Sequence, residues 1–223
     1  MSIMKNMPIV DLRTITSVEA AHAIEEMKNI ALLILPEESD PEVLSAIHAI
    51  PKTNVATTLT LPKDTKINQL IGQVELTPAI LAQDSILVIS GQSMVTEPCE
   101  ECNAPLIVCG QLIYPKSCPV KILSVSGQSK SYDYEHYVSV DDDFELDADT
   151  LDLMEYKTLL DIDGDLRVAK DVTIDMLKEK MPYFLVDGDV RCQKNVAAFM
   201  KLRAEIDGSL RVKGAAYEED DDE

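Results

Sequence analysis

Four of the five cysteines fall within 20 residues: Cys99-Glu-Glu-Cys102, Cys109 and Cys118. A C-x2-C pair can offer two thiolates to one soft metal ion or close a disulfide. Cys99, Cys102 and Cys109 are the candidate metal ligands or redox thiols; the competing reading is thiols with no common role. Cys99 and Cys102 lie in the loop before a strand that carries Cys109, and Cys118 lies beyond its far end. A seven-residue strand spans roughly 23 Å, which keeps Cys118 from meeting the loop pair at one ion. Cys192 falls at an inward strand position and reads as core. His22 and His48 sit on helical segments and His136 in the Tyr132–Tyr137 loop, all three with surface or packing roles. The sequence contains no phosphate loop, nucleophile elbow or histidine-plus-carboxylate metal motif. No catalytic residue and no cofactor are expected, and the chain reads as a non-enzyme.

The second chemistry is ionic. Three segments read IDGDLRV (Ile162–Val168), VDGDVRC (Val186–Cys192) and IDGSLRV (Ile206–Val212). Asp163, Asp187 and Asp207 precede the glycine, Asp165 and Asp189 follow it, and Arg167, Arg191 and Arg211 stand three residues after it. Aligned in a parallel stack, such residues form columns about 4.8 Å apart. Two acidic columns would then stand beside an arginine column, a pattern suited to a charged protein surface, to a second copy, or to a self-neutralising face. The run Asp161–Asp165 starts like a calcium loop, but its glycine comes two positions early and no Glu closes it.

These segments belong to a longer series. Gly72, Gly91, Gly110, Gly127, Gly164, Gly188 and Gly208 share one local frame, at spacings of 19, 19, 17, 37, 24 and 20. VDDDFEL (Val140–Leu146) fills the long gap, with Asp142 in the glycine slot. VATTLTL (Val55–Leu61) continues the frame upstream with Thr57 at the slot, and ALLIL (Ala31–Leu35) and VDLRTI (Val10–Ile15) continue it more loosely. A period near 20 residues signals repeat architecture. Even offsets from the slot are mostly apolar and odd ones mostly polar, as in half-buried strands. The slot points inward, so a Gly there suggests a layer with no space for Cβ, or a bulge. One residue after it, Gln73, Gln92, Gln111 and Gln128 form an outward column able to bond amide to amide. Ile71, Met94, Cys109 and Ile113 give this half a semi-apolar outer face, which calls for a partner or a covering segment.

Between the strands, start signals mark short helices. Thr16-Ser-Val-Glu19 reads as a capping box opening a helix through Met27. Asp40-Pro41 and Thr77-Pro78 pair an N-cap residue with Pro at the first helical position. Segments from Thr150 and Thr173 read as further helices, while Thr96–Pro105 and Pro115–Pro119 are too proline-rich for one. The expected fold is an α/β repeat solenoid, one parallel β-sheet with short helices or loops on its other side and about 20 residues per repeat. On these residues the chain resembles leucine-rich-repeat-like solenoids over residues 8–214, at the level of architecture. It departs from that family in lacking the Leu-x-x-Leu-x-Leu-x-x-Asn signature, whose asparagine turn is replaced by the glycine frame. A β-helix of the polymer-forming bactofilin type shares the short Gly-containing strands but lacks helices. The expected organisation is one domain over 1–217, helix-richer over 1–85, loop-rich over 86–147 and Asp-Gly-Asp-bearing over 148–217, then a disordered acidic tail at 218–223.

Composition bounds the partners. The chain has 223 residues, with 20 Lys+Arg against 40 Asp+Glu, for a net charge of −20. Such a balance repels nucleic-acid backbones and anionic membranes. The N-terminus lacks the apolar run of a signal peptide, and the odd cysteine count fits a reducing compartment. The reading is a cytoplasmic interaction scaffold that binds a protein partner through its sheet face. The alternatives are self-association into a structural polymer and a metal- or redox-linked protein using Cys99 and Cys102.

Overall fold

The computed structural model describes residues 2–213; the acidic tail expected at 218–223 lies outside the described residues. Two compact units emerge. The first comprises Met1–Val95, Cys99–Tyr114 and Cys118–Lys130; the second comprises Thr96–Pro98, Pro115–Ser117 and Ser131–Glu223. Strands make up 46% of the described residues and lie in several short parallel sheets with few helices; a short helix forms at each of the five places where a start signal stands.

The first unit opens with β1 (Ser2–Asp11), α1 (Val18–His22), β2 (Ile24–Pro36), α2 (Pro41–Ala49) and β3 (Lys52–Leu61). The strands form a separate parallel sheet in the order β1-β2-β3. The helix expected through Met27 stops at His22, and Ser17, not Thr16, caps it by accepting the Ala20 N–H at 3.2 Å. A five-residue helix is marginal, whereas a strand at Ile24–Pro36 bonds to a neighbour on each side. Ile24, Met27 and Ile30 are all buried. A register shift between Ser2 and Ile3 and the positive φ of Asn29 (54°) break the strand's alternation, so threefold apolar spacing occurs without a helix. The upstream continuation of the glycine frame at Val55–Leu61 lies on a strand with alternate residues half-buried, although β3 runs unbroken through Thr57. Helices α1 and α2 cover one face of this sheet, through Ala21, Val43 and Ile47 against Met27, Ile30 and Leu33.

Then follow β4 (Ile67–Leu70), β5 (Gln73–Glu75), α3 (Pro78–Leu81), β6 (Ile86–Ile89), β7 (Gln92–Met94), β8 (Pro105–Val108), β9 (Gln111–Pro115), β10 (Lys121–Val125) and β11 (Gln128–Tyr132). The glycine frame lies here as the spacing predicts, but each expected strand is two. One half pairs in the order β10-β8-β6-β4 and the other in the order β11-β9-β7-β5. The glycine slot is the corner between them, and successive glycines lie directly on one another. A Cβ on Gly91 would run into the backbone of Gly72, one on Gly110 into Gly91, and one on Gly127 into Gly110. Gly72 heads the column with open space around its Cβ position, and its φ of +81° supplies a different reason for glycine.

The second unit repeats the scheme with β12 (His136–Val140), β13 (Phe144–Leu146), α4 (Ala148–Leu153), β14 (Thr158–Ile162), β15 (Leu166–Val168), α5 (Ile174–Lys180), β16 (Tyr183–Val186), β17 (Val190–Gln193), α6 (Ala197–Arg203), β18 (Ala204–Ile206) and β19 (Leu210–Lys213). Its two parallel sheets run β12-β14-β16-β18 and β13-β15-β17-β19. The hidden repeat at VDDDFEL is present, and a Cβ on Gly164 would press on Asp142 and Asp143. Among the described residues the expected single sheet is five sheets, and from β4 onward the corner at each slot divides every repeat's strand between two of them. Leu160, Ile162, Leu166, Phe184, Val186 and Val190 fill the core with Leu151, Leu177 and Met200 from the helices. Helix α6 carries no side-chain cap, which is why no start signal marks it.

Candidate interaction face and thiol cluster

In the second unit the register sets Glu145, Arg167, Arg191 and Arg211 side by side on successive strands. The three arginines are exposed, as are Asp163, Asp187 and Asp207. Asp165 and Asp189 are half-buried, and their carboxylates also bond along the stack. The Asp143 carboxylate accepts the Asp165 backbone N–H, Asp165 accepts that of Asp189, and Asp189 accepts that of Ser209, each at 2.8 Å. This column ties each repeat to the next and satisfies an amide left over at the glycine corner. The remaining carboxylate oxygens meet the arginines one repeat later: Arg191 lies 4.0 Å from Asp165 and Arg211 2.8 Å from Asp189. Arg167 lies 3.8 Å from Glu145. Asp163, Asp187 and Asp207 have no ion-pair partner among the described residues. A cleft of about 320 Å³ opens beside the columns, lined by Asp143, Phe144, Glu145, Asp165, Leu166, Arg167 and Arg191. Glu145 is the member that residue-by-residue reading missed, although its place in VDDDFEL puts it in the arginine column.

The outward side of the other second-unit sheet carries Asp161, which accepts the Tyr137 hydroxyl at 2.9 Å. Burial raises its pKa above the ordinary carboxylate value against the effect of that hydrogen bond, and Asp187 and Asp163 add to the rise.

In the first unit the glutamines are in register, with Gln73 beside Gln92 and Gln92 beside Gln111. One amide-to-amide link closes, Gln73 Nε2 to Gln92 Oε1 at 3.5 Å. A tighter ladder lies where sequence reading placed none. Asn29 donates to Asn6 at 2.8 Å and Asn54 donates to Asn29 at 2.9 Å. All three have φ near +55°, a conformation asparagine tolerates better than most residues. The semi-apolar face has local cover: Val88 and Ile107 pack against Leu32 and Ile34 of β2. Met94 and Ile113 are buried while Ile71 stays 68% exposed.

The cysteines assemble differently from the expected set. Cys99 Sγ lies 2.7 Å from Cys102 Sγ and 3.0 Å from Cys118 Sγ, and Cys118 Sγ also accepts the Cys99 backbone N–H at 3.0 Å. Cys118 is therefore part of the cluster, which corrects its assignment to the far end of a straight strand. The corner at Gly110 turns the chain, and the 19-residue separation of Cys99 and Cys118 matches the repeat, so equivalent loops stack. That equality of spacing is visible in the sequence. Cys109 faces the other way, packing with the cluster around Leu32 and Val88. Cys99, Cys102 and Cys118 are buried among Leu81, Leu106 and Leu112. Burial pushes the thiols of Cys99 and Cys118 up to about 11, and Cys102 is raised for the same reason. Among the described residues no group of three or more His, Cys, Asp or Glu is arranged to hold a metal ion.

No family model, no curated protein and no solved structure matches this chain. Among the described residues no helix is long and apolar enough to cross a membrane.

Proposed function

We propose that the chain is a leucine-rich-repeat-like solenoid acting in the cytoplasm as a non-enzymatic scaffold, and that it binds a protein partner through the β13-β15-β17-β19 face. The observation that supports this is the in-register arginine column, Arg167 beside Arg191 beside Arg211. Exposed ion pairs contribute about 0–1 kcal/mol each, so stability gives little reason for such regularity, whereas a partner surface reads regular charge directly. Nucleic acid is a poor partner for a chain of this net charge. The test is affinity purification from the native host with mass spectrometry, comparing the wild type with R167S/R191S/R211S. A partner captured by the wild type and lost in the triple variant, with the circular dichroism spectrum unchanged, is the expected result. Equal capture by both proteins refutes the reading.

Self-association is the second reading, favoured by β18 and β19 standing at the ends of their sheets. Edge strands of this kind can pair with another chain. Light scattering after size exclusion decides it: mass that grows with concentration supports assembly, and a constant monomer mass excludes it.

A further inference from the structure

The three buried thiols form a compact group in which Cys99 is the shared member. Its sulfur lies within 3.0 Å of both Cys102 and Cys118. Either approach needs to shorten by less than about 1 Å to reach a disulfide bond of about 2.05 Å. Cys102 sits in the same loop as Cys99, and Cys118 in the equivalent loop one repeat later. Cys109 and Cys192 lie in other surroundings, Cys109 against the Leu32–Val88 cluster and Cys192 in the second-unit core. Proximity therefore singles out one sulfur with two possible partners.

We propose that Cys99 is the hub of a disulfide site: oxidation by a hydroperoxide joins it to Cys102, and Cys118 can take its sulfur over by thiol–disulfide exchange. In the first step the Cys99 thiolate attacks one peroxide oxygen and the O–O bond breaks. Cys99 becomes a sulfenic acid, and the departing hydroxide leaves as water with the thiol proton. The Cys102 sulfur then gives up its proton and attacks Cys99 Sγ, forming the S–S bond and releasing a second water. Two thiols have lost two electrons to one hydrogen peroxide. In the exchange, the Cys118 thiolate attacks Cys99 Sγ, the new bond joins Cys99 to Cys118, and Cys102 leaves as a thiol. The second product staples two successive repeats, so the site links oxidation to the stability of the first unit. Burial keeps these thiols protonated at neutral pH, which makes the reaction slow compared with an exposed, activated cysteine.

The test uses the full chain under native conditions, treated with excess hydrogen peroxide and then alkylated and mapped by peptide mass spectrometry. The expected result is one disulfide per chain involving Cys99, with Cys109 and Cys192 still thiols. The C118S variant should give the Cys99–Cys102 link alone, and C102S the Cys99–Cys118 link alone. In C99S the disulfide should disappear. Should C99S fail to fold, the wild-type map still decides. A Cys102–Cys118 link, a link to Cys109 or Cys192, oxidation dominated by the more accessible Cys109, or no disulfide at all overturns the proposal.

Discussion

Adding one methyl group to Gly188 tests the corner that divides each repeat. The new Cβ would stand 2.6 Å from the Gly164 carbonyl oxygen and 2.7 Å from its carbon, and closer still to Asp165 Oδ1. Ordinary Cβ contacts begin near 3.4 Å, so the two repeats must separate by several tenths of an ångström. Both sides resist this. Gly188 N–H donates to Gly164 O at 3.0 Å, Gly208 N–H to Gly188 O at 3.2 Å, and Asp189 N–H to Asp165 Oδ1 at 2.8 Å. Overpacking costs about 1–3 kcal/mol, and weakening a hydrogen bond to a charged acceptor adds about 1.5–3 kcal/mol. Gly188→Ala should therefore lose about 3–5 kcal/mol. With a urea m-value of about 2 kcal/mol/M, the unfolding midpoint followed by circular dichroism should fall by roughly 1.5–2.5 M. Gly72→Ala is the internal comparison. Nothing lies within 4 Å of its Cβ position, and only the φ of +81° opposes the change, at about 1–2 kcal/mol. If Gly188→Ala costs under about 0.5 kcal/mol, or less than Gly72→Ala, the stacked-backbone account of the glycine column is wrong.

Arg13 is 9% exposed, donates to the carbonyls of Pro62 and Thr65 at 2.8 Å each, and pairs with Asp11 at 2.8 Å. Arg13→Ala should cost about 3 kcal/mol in urea unfolding; a loss near zero would show that the turn at 62–65 needs no clamp. Burial works to raise the Asp11 pKa, yet the hydrogen bonds and charge of Arg13 hold it below the ordinary carboxylate value. Its contribution is therefore complete above the unfolded pKa of about 3.9 and lost as pH falls through the lower folded value. The stability gap between wild type and Arg13→Ala should narrow in that acid window and stay constant above it. At Asn29 the side chain makes two ladder bonds and φ is 54°. Asn29→Ala should cost about 2–3 kcal/mol and Asn29→Gly less, since glycine accepts that φ; calorimetric melting that gives the reverse order would contradict the ladder's backbone role. R167S/R191S/R211S should lower stability by under about 2 kcal/mol in total, because each ion pair is exposed. A larger loss in urea would make the arginine column structural.

Periodicity made most of the second unit legible. The glycine frame located β12 to β19, the hidden repeat at Asp142 and the inward set Ile162, Leu166, Val186 and Val190. It also placed Arg167, Arg191 and Arg211 in register. Less was legible in the first 61 residues, where the helix expected from Thr16 through Met27 ends at His22 and Ile24 already belongs to a strand. Alternation puts Asp165 and Asp189 at outward positions. Their carboxylates also cap the next repeat's amides, because the corner leaves backbone N–H groups within reach of a short acceptor side chain. A straight strand would keep Cys118 far from Cys99, but the chain turns at Gly110 and brings the two sulfurs to 3.0 Å.

Residue order determined which positions recur, since a glycine slot followed by alternating apolar residues specifies a repeated strand and its inward face wherever it occurs. Tertiary structure decided what each recurring position does. Stacking brings backbone onto backbone at the slots, so the glycines become a contact column and the flanking carboxylates become caps. It lays the loop of one repeat on that of the next, so Cys99 and Cys118, 19 residues apart, share one site. Covering β6 and β8 with β2 buries Val88 and Ile107, which alternation assigned to the outside. Each of these depends on distances between segments far apart in sequence, and a periodic pattern carries direction along the chain but not the bend between its strands.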